Sequence, residues 1–465
     1  MLFTQIEFVV FFAVVLAVGF RLSGRWRNAF LLTASYWFYC SWDLRLGLIL
    51  LGTTVVHWLA IRILSSDVGE RTRKAAVWGA VGVSVGALGY FKYCNFFLTS
   101  WNAVMGSVLS VETADVILPL GISFYTFQAI SLTIDMYRQK IDPPVSFLDV
   151  AVYISFFPQL LSGPIVRYGD FAPQLNASSK LKRDDLLAGF GMFSFGFFKK
   201  VFVADRMTAY VGYCFENCGM MNSASLWLGA LAYTIQIYCD FSGYSDMAIG
   251  VARAMGFRYK ANFNHPYVSR SVTEFWRRWH ISLSTWLRDY VYIALGGNRC
   301  GKTRRLWNLL ATMLVGGLWH GANWTFIAWG GLHGVALIVH KLWVGVFPED
   351  DRRYSGRVRN LLGWVLTLFV VTLGWVLFRA DNFGMAWIYL SGLFGGGAAE
   401  ISWISPYALG GIALVVFTHC IGETKWGLKI RDVKTPMGLY CVLTAFALAL
   451  LYPADGANPF IYFQF

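Results

Sequence analysis

Two histidines lie in strongly apolar stretches of the chain and are the first candidates for chemistry. His320 is near the end of the run Met313-Leu-Val-Gly-Gly-Leu-Trp-His-Gly321, and His280 lies within Phe275-Trp-Arg-Arg-Trp-His-Ile-Ser-Leu-Ser284. An ionisable group at membrane depth costs free energy, about 2.5–3.5 kcal/mol for a charged group at a helix centre, and usually serves a function. Because a neutral imidazole can take a proton from a hydroxyl, the sequence predicts that His280 and His320 are catalytic.

Both histidines also have structural explanations. His320 can be hydrogen-bonded to a backbone carbonyl purely for packing, and His280 can lie on an interfacial helix that touches anionic lipid headgroups. Gly316, Gly317 and Gly321 flank His320. Small residues of this kind let a neighbouring helix or a ligand approach the backbone closely, which favours a functional site.

The segment 273–290 is predicted to form one helix around His280. At about 100° per residue, its tryptophans and leucines fall on one face. A neighbouring strip carries Thr273, Arg277, His280, Ser284 and Arg288. Such a helix is too polar to span lipid, so it lies at the interface or walls a cavity with an anionic or polar occupant. Its arginines are suited to bind the phosphate groups of an acyl donor. Its tryptophans are suited to exclude water from the reactive thioester of such a donor. The residues predicted to bind the donor or line its tunnel are Arg277, Arg278, Trp279, Ser284, Arg288, Trp319 and Asn323.

Signature motifs of several other enzyme classes are missing from the sequence or lack the context that their chemistry needs. GxSxG spacing occurs at 82–86 and P-loop spacing at 296–303, but neither follows a predicted strand, as a nucleophile elbow or a P-loop does. The sequence contains no HExxH or GxGxxG motif, and its eight cysteines show no metal-ligand spacing. Serine-based hydrolysis, nucleotide hydrolysis and zinc chemistry therefore lose support, and no metal site is predicted. The chemistry that the remaining residues favour is general-base catalysis by a histidine in a dry cavity with aromatic walls. Such a reaction requires an acceptor hydroxyl and an activated acyl donor.

Other polar residues in apolar segments are interpreted as structural. Asp240 and Asp246 do not share a helical face, so hydrogen bonding within the fold is favoured over a catalytic pair of carboxylates. His57 and His419 are single histidines in apolar segments and are interpreted as packing residues. His333 is left without an assigned role.

The composition is that of a multi-pass membrane protein. Of the 465 residues, 57% are hydrophobic and 14% are charged, with a mean hydropathy of +0.51, whereas soluble domains are about 45–50% apolar and about 25% charged. The net charge of +13 reflects basic residues in short loops, a positive-inside pattern rather than a nucleic-acid-binding surface. Because one span needs about 20 apolar residues, the chain is predicted to be all-α, with about 10–12 transmembrane helices.

Re-entrant and interfacial helices are expected around a central tunnel. Residues 1–465 are expected to form a single membrane domain, with its catalytic core at about 150–345. Residues 150–165 end in Phe157-Pro-Gln-Leu-Leu-Ser-Gly-Pro164, where two prolines and a glycine forbid a continuous helix. Irregular backbone at membrane depth survives only inside protein or along a wet cavity, so a re-entrant hairpin is predicted. The alternating basic loops place both termini outside.

Six blocks of the sequence resemble the membrane-bound O-acyltransferase family, and within it the alginate O-acetyltransferase-like bacterial branch. They occur in order over most of the chain, and the blocks around the two histidines are long enough to be specific. The blocks are Phe156-Phe-Pro-Gln-Leu-Leu-Ser-Gly-Pro-Ile165, Asp240-Phe-Ser-Gly-Tyr-Ser-Asp-Met-Ala-Ile249, Asn262-Phe-Asn-His-Pro-Tyr267, Glu274-Phe-Trp-Arg-Arg-Trp-His-Ile-Ser-Leu-Ser-Thr-Trp-Leu-Arg-Asp289, Gly316-Gly-Leu-Trp-His-Gly-Ala-Asn-Trp324 and Phe460-Ile-Tyr-Phe-Gln-Phe465.

The resemblance implies a reaction and roles for the two histidines. Family members take an acyl group from a cytoplasmic thioester and pass it to a hydroxyl on or towards the other side of the membrane. The family's invariant membrane histidine matches His320, which would act as general base on the acceptor hydroxyl. Its second histidine matches His280, which would orient the donor or assist. In the alginate-type branch the donor is acetyl-CoA, a substrate rather than a bound cofactor, and the product is an O-acetylated exopolysaccharide such as alginate.

The resemblance also implies a location and partners. The chain is expected in the bacterial inner membrane, next to a polysaccharide biosynthesis and secretion complex, with a periplasmic SGNH-type acetyltransferase as partner. Three alternatives stay open. They are D-alanyl or other acyl transfer from a carrier-protein thioester, a glycan or lipid transporter with histidine proton relays, and a non-catalytic scaffold that docks a partner through the aromatic tail Phe460–Phe465. No inverted repeat is visible, which counts against the transporter.

Overall fold

The computed structural model describes the chain except for residues 107–110, 115, 144, 162, 178–181, 348–355, 397–399, 454–459 and 462–465. All regular structure among the described residues is helical, apart from an isolated bridge between Met221 and Ile401. The all-α prediction is therefore confirmed.

The chain divides into two compact units. The first comprises Met1–Phe193 and Met247–Lys260, and the second comprises Ser194–Asp246 and Ala261–Phe465. Both predicted catalytic histidines belong to the second unit. The single domain with a core at about 150–345 stays a prediction.

Nine of the described helices belong wholly to the first unit, and two others, α10 and α12, contribute residues to both units. The nine are α1 Ile6–Gly19, α2 Gly24–Cys40, α3 Leu44–Leu64, α4 Glu70–Leu88, α5 Cys94–Met105, α6 Ile122–Tyr137, α7 Phe147–Ser155, α8 Phe157–Leu160 and α9 Tyr168–Leu175. The two shared helices are α10 Arg183–Phe197 and α12 Ser223–Ala254.

The second unit contains the remaining described helices. These are α11 Asp205–Glu216, α13 Val272–Arg278, α14 Ile281–Leu287, α15 Lys302–His320, α16 Trp324–Val346, α17 Arg357–Arg379, α18 Phe383–Leu393, α19 Pro406–Ile421, α20 Lys425–Arg431 and α21 Pro436–Leu451. Short π-helical segments occur at Gly89–Tyr93, Phe198–Ala204 and Arg288–Tyr292, and a 3-10 turn at Pro266–Val268.

Five of the described helical segments are long and apolar enough to cross a membrane, or six if the bent pair α19 and α20 counts as one broken span. Large apolar side chains on these segments are exposed, as Leu48 and Leu362 illustrate at 66% and 63%. Contiguous apolar surface of this kind suits lipid rather than water. The chain is thus a multi-pass membrane protein, and the count of about 10–12 spans stays a prediction.

The segment 150–165 is interrupted, as its prolines predict. Helix α7 ends at Ser155, Phe156 leaves the helical conformation at φ −56° and ψ 112°, and α8 begins immediately with Pro158 in its first turn. The side chains around the break are fully buried. Irregular backbone at this point therefore lies inside protein, which is the condition for it to exist at membrane depth.

His57 and His419 have the packing roles that the sequence suggested. The ring nitrogens of His57 lie 2.6 Å from Thr133 Oγ1 and 2.7 Å from Ser84 Oγ, inside the first unit. In the second unit, Nδ1 of His419 lies 2.9 Å from the backbone oxygen of Val415.

Candidate active site

His320 is the last residue of α15. Gly321 leaves the helix in an extended conformation, and Asn323 begins α16 by accepting a hydrogen bond from the Thr325 N–H at 3.0 Å. This cap satisfies a backbone donor that the first turn of α16 would otherwise leave unpaired. The two helices form a hairpin whose turn presents His320. Asn323, predicted to bind the donor, has its side-chain amide bound to the Asp381 backbone oxygen at 2.7 Å.

Two glycines allow α15 and α16 to touch along their backbones. A methyl group on Gly317 would clash with the Phe326 backbone oxygen and lie 3.1 Å from Cα of Gly330. A methyl group on Gly330 would clash with the Met313 backbone oxygen. Only residues without a side chain permit this approach, so the glycines fix how α16 faces the end of α15.

The close approach encloses His320 in aromatic rings. Its ring centroid lies 4.9 Å from that of Trp329 on α16 and 5.3 Å from that of Phe378 on α17, both edge to face. The neighbouring ring of Trp319 is 5.0 Å away, and His320 is 2% exposed. An imidazole so enclosed is shielded from bulk water, as acyl-thioester chemistry requires.

His280 lies at a break between two short helices, so the prediction of one helix over 273–290 is wrong. Helix α13 ends at Arg278, Trp279 is extended, and His280 is left-handed at φ 41° and ψ 56° before α14 begins. A left-handed residue cannot continue a right-handed helix, and the conformation costs about 1–3 kcal/mol. The predicted aromatic face and arginine–serine strip therefore do not exist as continuous surfaces.

The side chain of His280 is fully buried and held at one nitrogen. Its Nδ1 lies 3.2 Å from Oδ1 of Asn262, and Nε2 has no hydrogen-bond partner in the part of the chain described. The rings of Phe241, Phe263 and Trp319 surround it at 4.6, 6.4 and 5.9 Å. Burial lowers the pKa of the His280 imidazole, which keeps the ring neutral and able to accept a proton at pH 7.

Trp319 joins the two histidines into one site. Its ring contacts His320 at 5.0 Å and His280 at 5.9 Å. The structure thus brings the two predicted catalytic residues to the same indole, although they are 40 positions apart in sequence. Trp319 was predicted to line the donor tunnel, and that role stays a prediction.

The arginines predicted to bind the donor have other partners or are exposed. Arg278 forms ion pairs with Glu274 and Glu423, each at 2.9 Å. Arg288 is largely exposed and pairs with its neighbour Asp289 at 2.8 Å. Arg277 is exposed. Donor binding by these three residues stays a prediction.

The two uncharged donor-site candidates lie on either side of the helix break. Trp279 is fully buried and its ring lies 4.9 Å from that of Trp375. Ser284 donates a hydrogen bond to the Trp279 backbone oxygen at 3.2 Å. Both residues therefore belong to the wall that carries His280, and their contact with a donor stays a prediction.

Several residues of the site were missed from the sequence. Trp329, Phe378 and Asn262 contact the catalytic candidates, but none lies in the same helix as the residue that it contacts. Asn262 opens one of the blocks that carry the family resemblance, which was the available signal. His333 extends the aromatic column, since its ring lies 4.9 Å from Trp329.

Asp240 and Asp246 are structural, as the sequence indicated. Lys200 bridges Asp240 at 2.5 Å and Asp205 at 2.8 Å, and Lys199 pairs with Asp246 at 2.6 Å. Each of these lysines is paired with at least one carboxylate, and the attraction offsets part of the free energy lost when the charged groups leave water.

The hypothesis of an exposed aromatic tail is wrong at Phe460 and Ile461. Phe460 is 1% exposed and packs on Tyr244, and the Ile461 N–H donates to Asp240 Oδ2 at 3.0 Å. The rest of that tail, 462–465, lies outside the described residues. Among the residues described, no cluster of three or more His, Cys, Asp or Glu side chains is placed to hold a metal ion.

Comparison with known proteins decides the family. The profile of the membrane-bound O-acyltransferase family matches residues 77–379, which include both histidines of the site. The chain belongs to this family. It is therefore an acyltransferase of the membrane-bound O-acyltransferase type.

Relatives of this chain are named as enzymes that act on alginate, on peptidoglycan or on teichoic acid. It is 45% identical over 421 residues to “Probable alginate O-acetylase AlgI” of Pseudomonas aeruginosa, covering 89% of this chain and 78% of that protein. It is 36% identical to the peptidoglycan O-acetyltransferase of Helicobacter pylori, covering 81% and 76%. It is 30% identical to the teichoic acid D-alanyltransferase of Streptococcus thermophilus, covering 61% and 75%.

Proposed function

We propose that this acyltransferase moves an acetyl group from cytoplasmic acetyl-CoA across the inner membrane for O-acetylation of an exopolysaccharide such as alginate. The observation that carries the proposal is the meeting of His280 and His320 at Trp319, inside a buried aromatic enclosure. Relatives at 39–45% identity support acetyl as the group and alginate as the polymer, since they are named for alginate O-acetylation.

In the proposed reaction, His320 is the general base. Its imidazole takes the proton of the acceptor hydroxyl as the oxygen attacks the thioester carbonyl carbon. The carbon–sulfur bond breaks and the thiolate leaves with the electron pair. It takes up the proton held by the His320 imidazolium, which regenerates the base, and the acetyl group ends on the acceptor oxygen. General-base catalysis of this kind contributes roughly 10²–10⁴-fold to the rate.

His280 is proposed to orient the donor or to assist His320, from the other side of Trp319. It is neutral, because burial lowers the pKa of its imidazole, and it retains one nitrogen that no described residue occupies. Arg277, Arg278 and Arg288 are proposed to meet the donor phosphates, which requires Arg278 to exchange an ion pair for a phosphate contact.

A partner completes the proposed pathway. We place the chain beside a polysaccharide biosynthesis and secretion complex, with both termini in the periplasm and a periplasmic SGNH-type acetyltransferase as the protein that finishes O-acetylation. The chain itself would supply acetyl groups at the periplasmic face. The name of the relative from Pseudomonas aeruginosa supports polysaccharide modification as the setting.

A second candidate is transfer of a D-alanyl or other acyl group from a carrier-protein thioester. The relatives named teichoic acid D-alanyltransferases favour it, at 30% and 29% identity. The higher identity to proteins named for O-acetylation makes acetyl the preferred group. A transporter gains no support, since the family is one of acyltransferases.

Donor competition separates the two candidates. Purified protein is incubated with labelled acetyl-CoA, labelled acetyl-carrier protein or labelled D-alanyl-carrier protein, and label transferred to an oligosaccharide acceptor with the partner present is measured. We expect transfer from acetyl-CoA and none from the D-alanyl donor. Transfer from a carrier-protein thioester alone would replace the proposed donor.

A further inference from the structure

The amide oxygen of Asn262 receives three hydrogen bonds at the helix break. The partners of Oδ1 are the Ser282 backbone N–H at 3.1 Å, the Ser282 hydroxyl at 2.9 Å and Nδ1 of His280 at 3.2 Å. The backbone oxygen of Asn262 also accepts from the Ile281 N–H at 2.9 Å. Asn262 is 1% exposed, so one buried residue caps the start of α14 and holds the imidazole.

This network determines which nitrogen of His280 carries the proton. A backbone N–H can only donate, so the atom of Asn262 that faces Ser282 N–H is the carbonyl oxygen rather than the amide nitrogen. A carbonyl oxygen can only accept, so the Nδ1 of His280 facing it bears hydrogen. In the neutral imidazole, Nε2 is then the nitrogen with the free lone pair.

Nε2 of His280 is a buried acceptor that no described residue satisfies. The groups that contact the ring are Phe241, Phe263, Trp319 and the Asn262 amide, and none of these titrates. Leaving a buried acceptor unpaired is costly. The Nε2 lone pair is therefore the atom of this ring to which an O–H or N–H donor of a substrate can bind.

We propose that Asn262 is a positioning residue that sets the tautomer of His280 and aims its Nε2 at a substrate O–H or N–H group. The inference rests on the proposed role of His280. Asn262 has two functions at once, because it holds Nδ1–H of His280 and also accepts hydrogen bonds from the two backbone N–H groups that follow the left-handed His280. A plain helix cap would need only the second of these.

Two substitutions at Asn262 test the proposal. Asn262→Asp keeps an oxygen acceptor for Nδ1–H and Ser282, and its charge favours the protonated imidazole. We expect it to keep transfer within about 10-fold of wild type while the acid limb of the pH–rate profile moves to higher pH. Asn262→Ala removes the acceptor, and we expect transfer to fall on the order of 10²-fold with the donor saturating.

Two controls separate positioning from folding. Ser282→Ala removes one donor to Oδ1 but leaves the contact with His280, and it should keep the wild-type pH profile. Asn308→Ala removes a similarly buried amide that binds the Leu295 backbone oxygen, so it reports the cost of losing such a group elsewhere. Thermal unfolding in detergent is measured for every variant.

The outcomes distinguish this inference from the proposed function. If His280→Ala keeps full transfer, the proposed role of His280 is wrong and the inference falls with it. If His280→Ala is inactive but Asn262→Ala transfers normally, only the inference is overturned. It is also overturned if the Asp and Ala variants lose transfer equally and in proportion to stability, with an unmoved pH profile.

Discussion

Two buried imidazole rings, those of His280 and His320, lie at the centre of the proposed site of this acyltransferase. Nδ1 of His280 lies 3.2 Å from Oδ1 of Asn262, and its Nε2 has no hydrogen-bond partner among the described residues. The rings of Trp319, Trp329 and Phe378 lie within 5.3 Å of the His320 ring, measured between centroids. A neutral imidazole in an aromatic enclosure of this kind can accept a proton from a hydroxyl.

The buried neutral state of His280 predicts a pH dependence of stability. Because burial lowers its pKa, the unfolded chain binds a proton at this residue at a higher pH than the folded protein does. The contribution of neutral His280 is complete above the unfolded pKa of about 6.5 and is lost as the pH falls below it. We expect the unfolding temperature to fall less between pH 7 and pH 5 in His280→Gln than in wild type.

The comparison is made by thermal unfolding in one detergent at several pH values. Asn308→Ala, which leaves His280 in place, serves as the control and should follow the wild-type slope. Equal slopes for wild type and His280→Gln would show that the histidine is not held neutral by burial.

Helices α15 and α16 are the elements that position His320. The glycines around His320 indicated that a neighbouring helix or a ligand approaches the backbone closely, and the structure shows such an approach of α16 at Gly317. The identity of the neighbours was not predictable. Gly317 meets Gly330 only because the hairpin folds back, and no periodicity in either helix specifies that register.

The close approach of the two helices predicts a cost for any added side chain. Gly317→Ala would place a methyl group against the Phe326 backbone oxygen, and overpacking of this kind typically costs about 1–3 kcal/mol. We expect a lower unfolding temperature and slower acyl transfer, because α16 and Trp329 must move away from His320. Both quantities are measured on purified protein.

Gly345 on α16 provides the matched control. A methyl group there meets no atom within 4 Å, and alanine is the better helix former by about 1 kcal/mol. Gly345→Ala should therefore keep or raise stability and leave transfer unchanged. If Gly317→Ala behaves like Gly345→Ala, the glycine contact does not position the site.

The helix break at His280 shows where prediction from the sequence ended. Tryptophans and leucines at helical spacing favoured one continuous helix over 273–290. The break depends on Asn262, which lies 18 positions before His280 and takes over the backbone donors of Ile281 and Ser282. A bond between distant segments leaves no periodic signal, so local pattern could not indicate it.

At the scale of the whole molecule, composition predicted the class of protein and motifs predicted the family. An apolar chain with basic loops indicated a multi-pass membrane protein, and the histidine-containing blocks indicated the membrane-bound O-acyltransferases. The enclosure of the two histidines by Phe241, Trp329 and Phe378 was not predicted, because those residues come from helices that only the folded chain brings together.

Passage of an acyl group across the membrane is the central claim for the whole molecule, and vesicles test it most directly. Protein is reconstituted in liposomes with labelled acetyl-CoA outside and an oligosaccharide acceptor, with the periplasmic partner, trapped inside. Wild type is compared with His320→Ala and with His57→Ala, which also removes a buried imidazole. Label on the trapped acceptor and the unfolding temperature are both measured.

We expect wild type to label the trapped acceptor and His320→Ala to lose on the order of 10²-fold or more of that transfer while remaining folded. His57→Ala, judged relative to its folded fraction, should retain transfer. Full labelling by a folded His320→Ala protein would contradict the account, since a group other than His320 would then accept the proton of the acceptor hydroxyl.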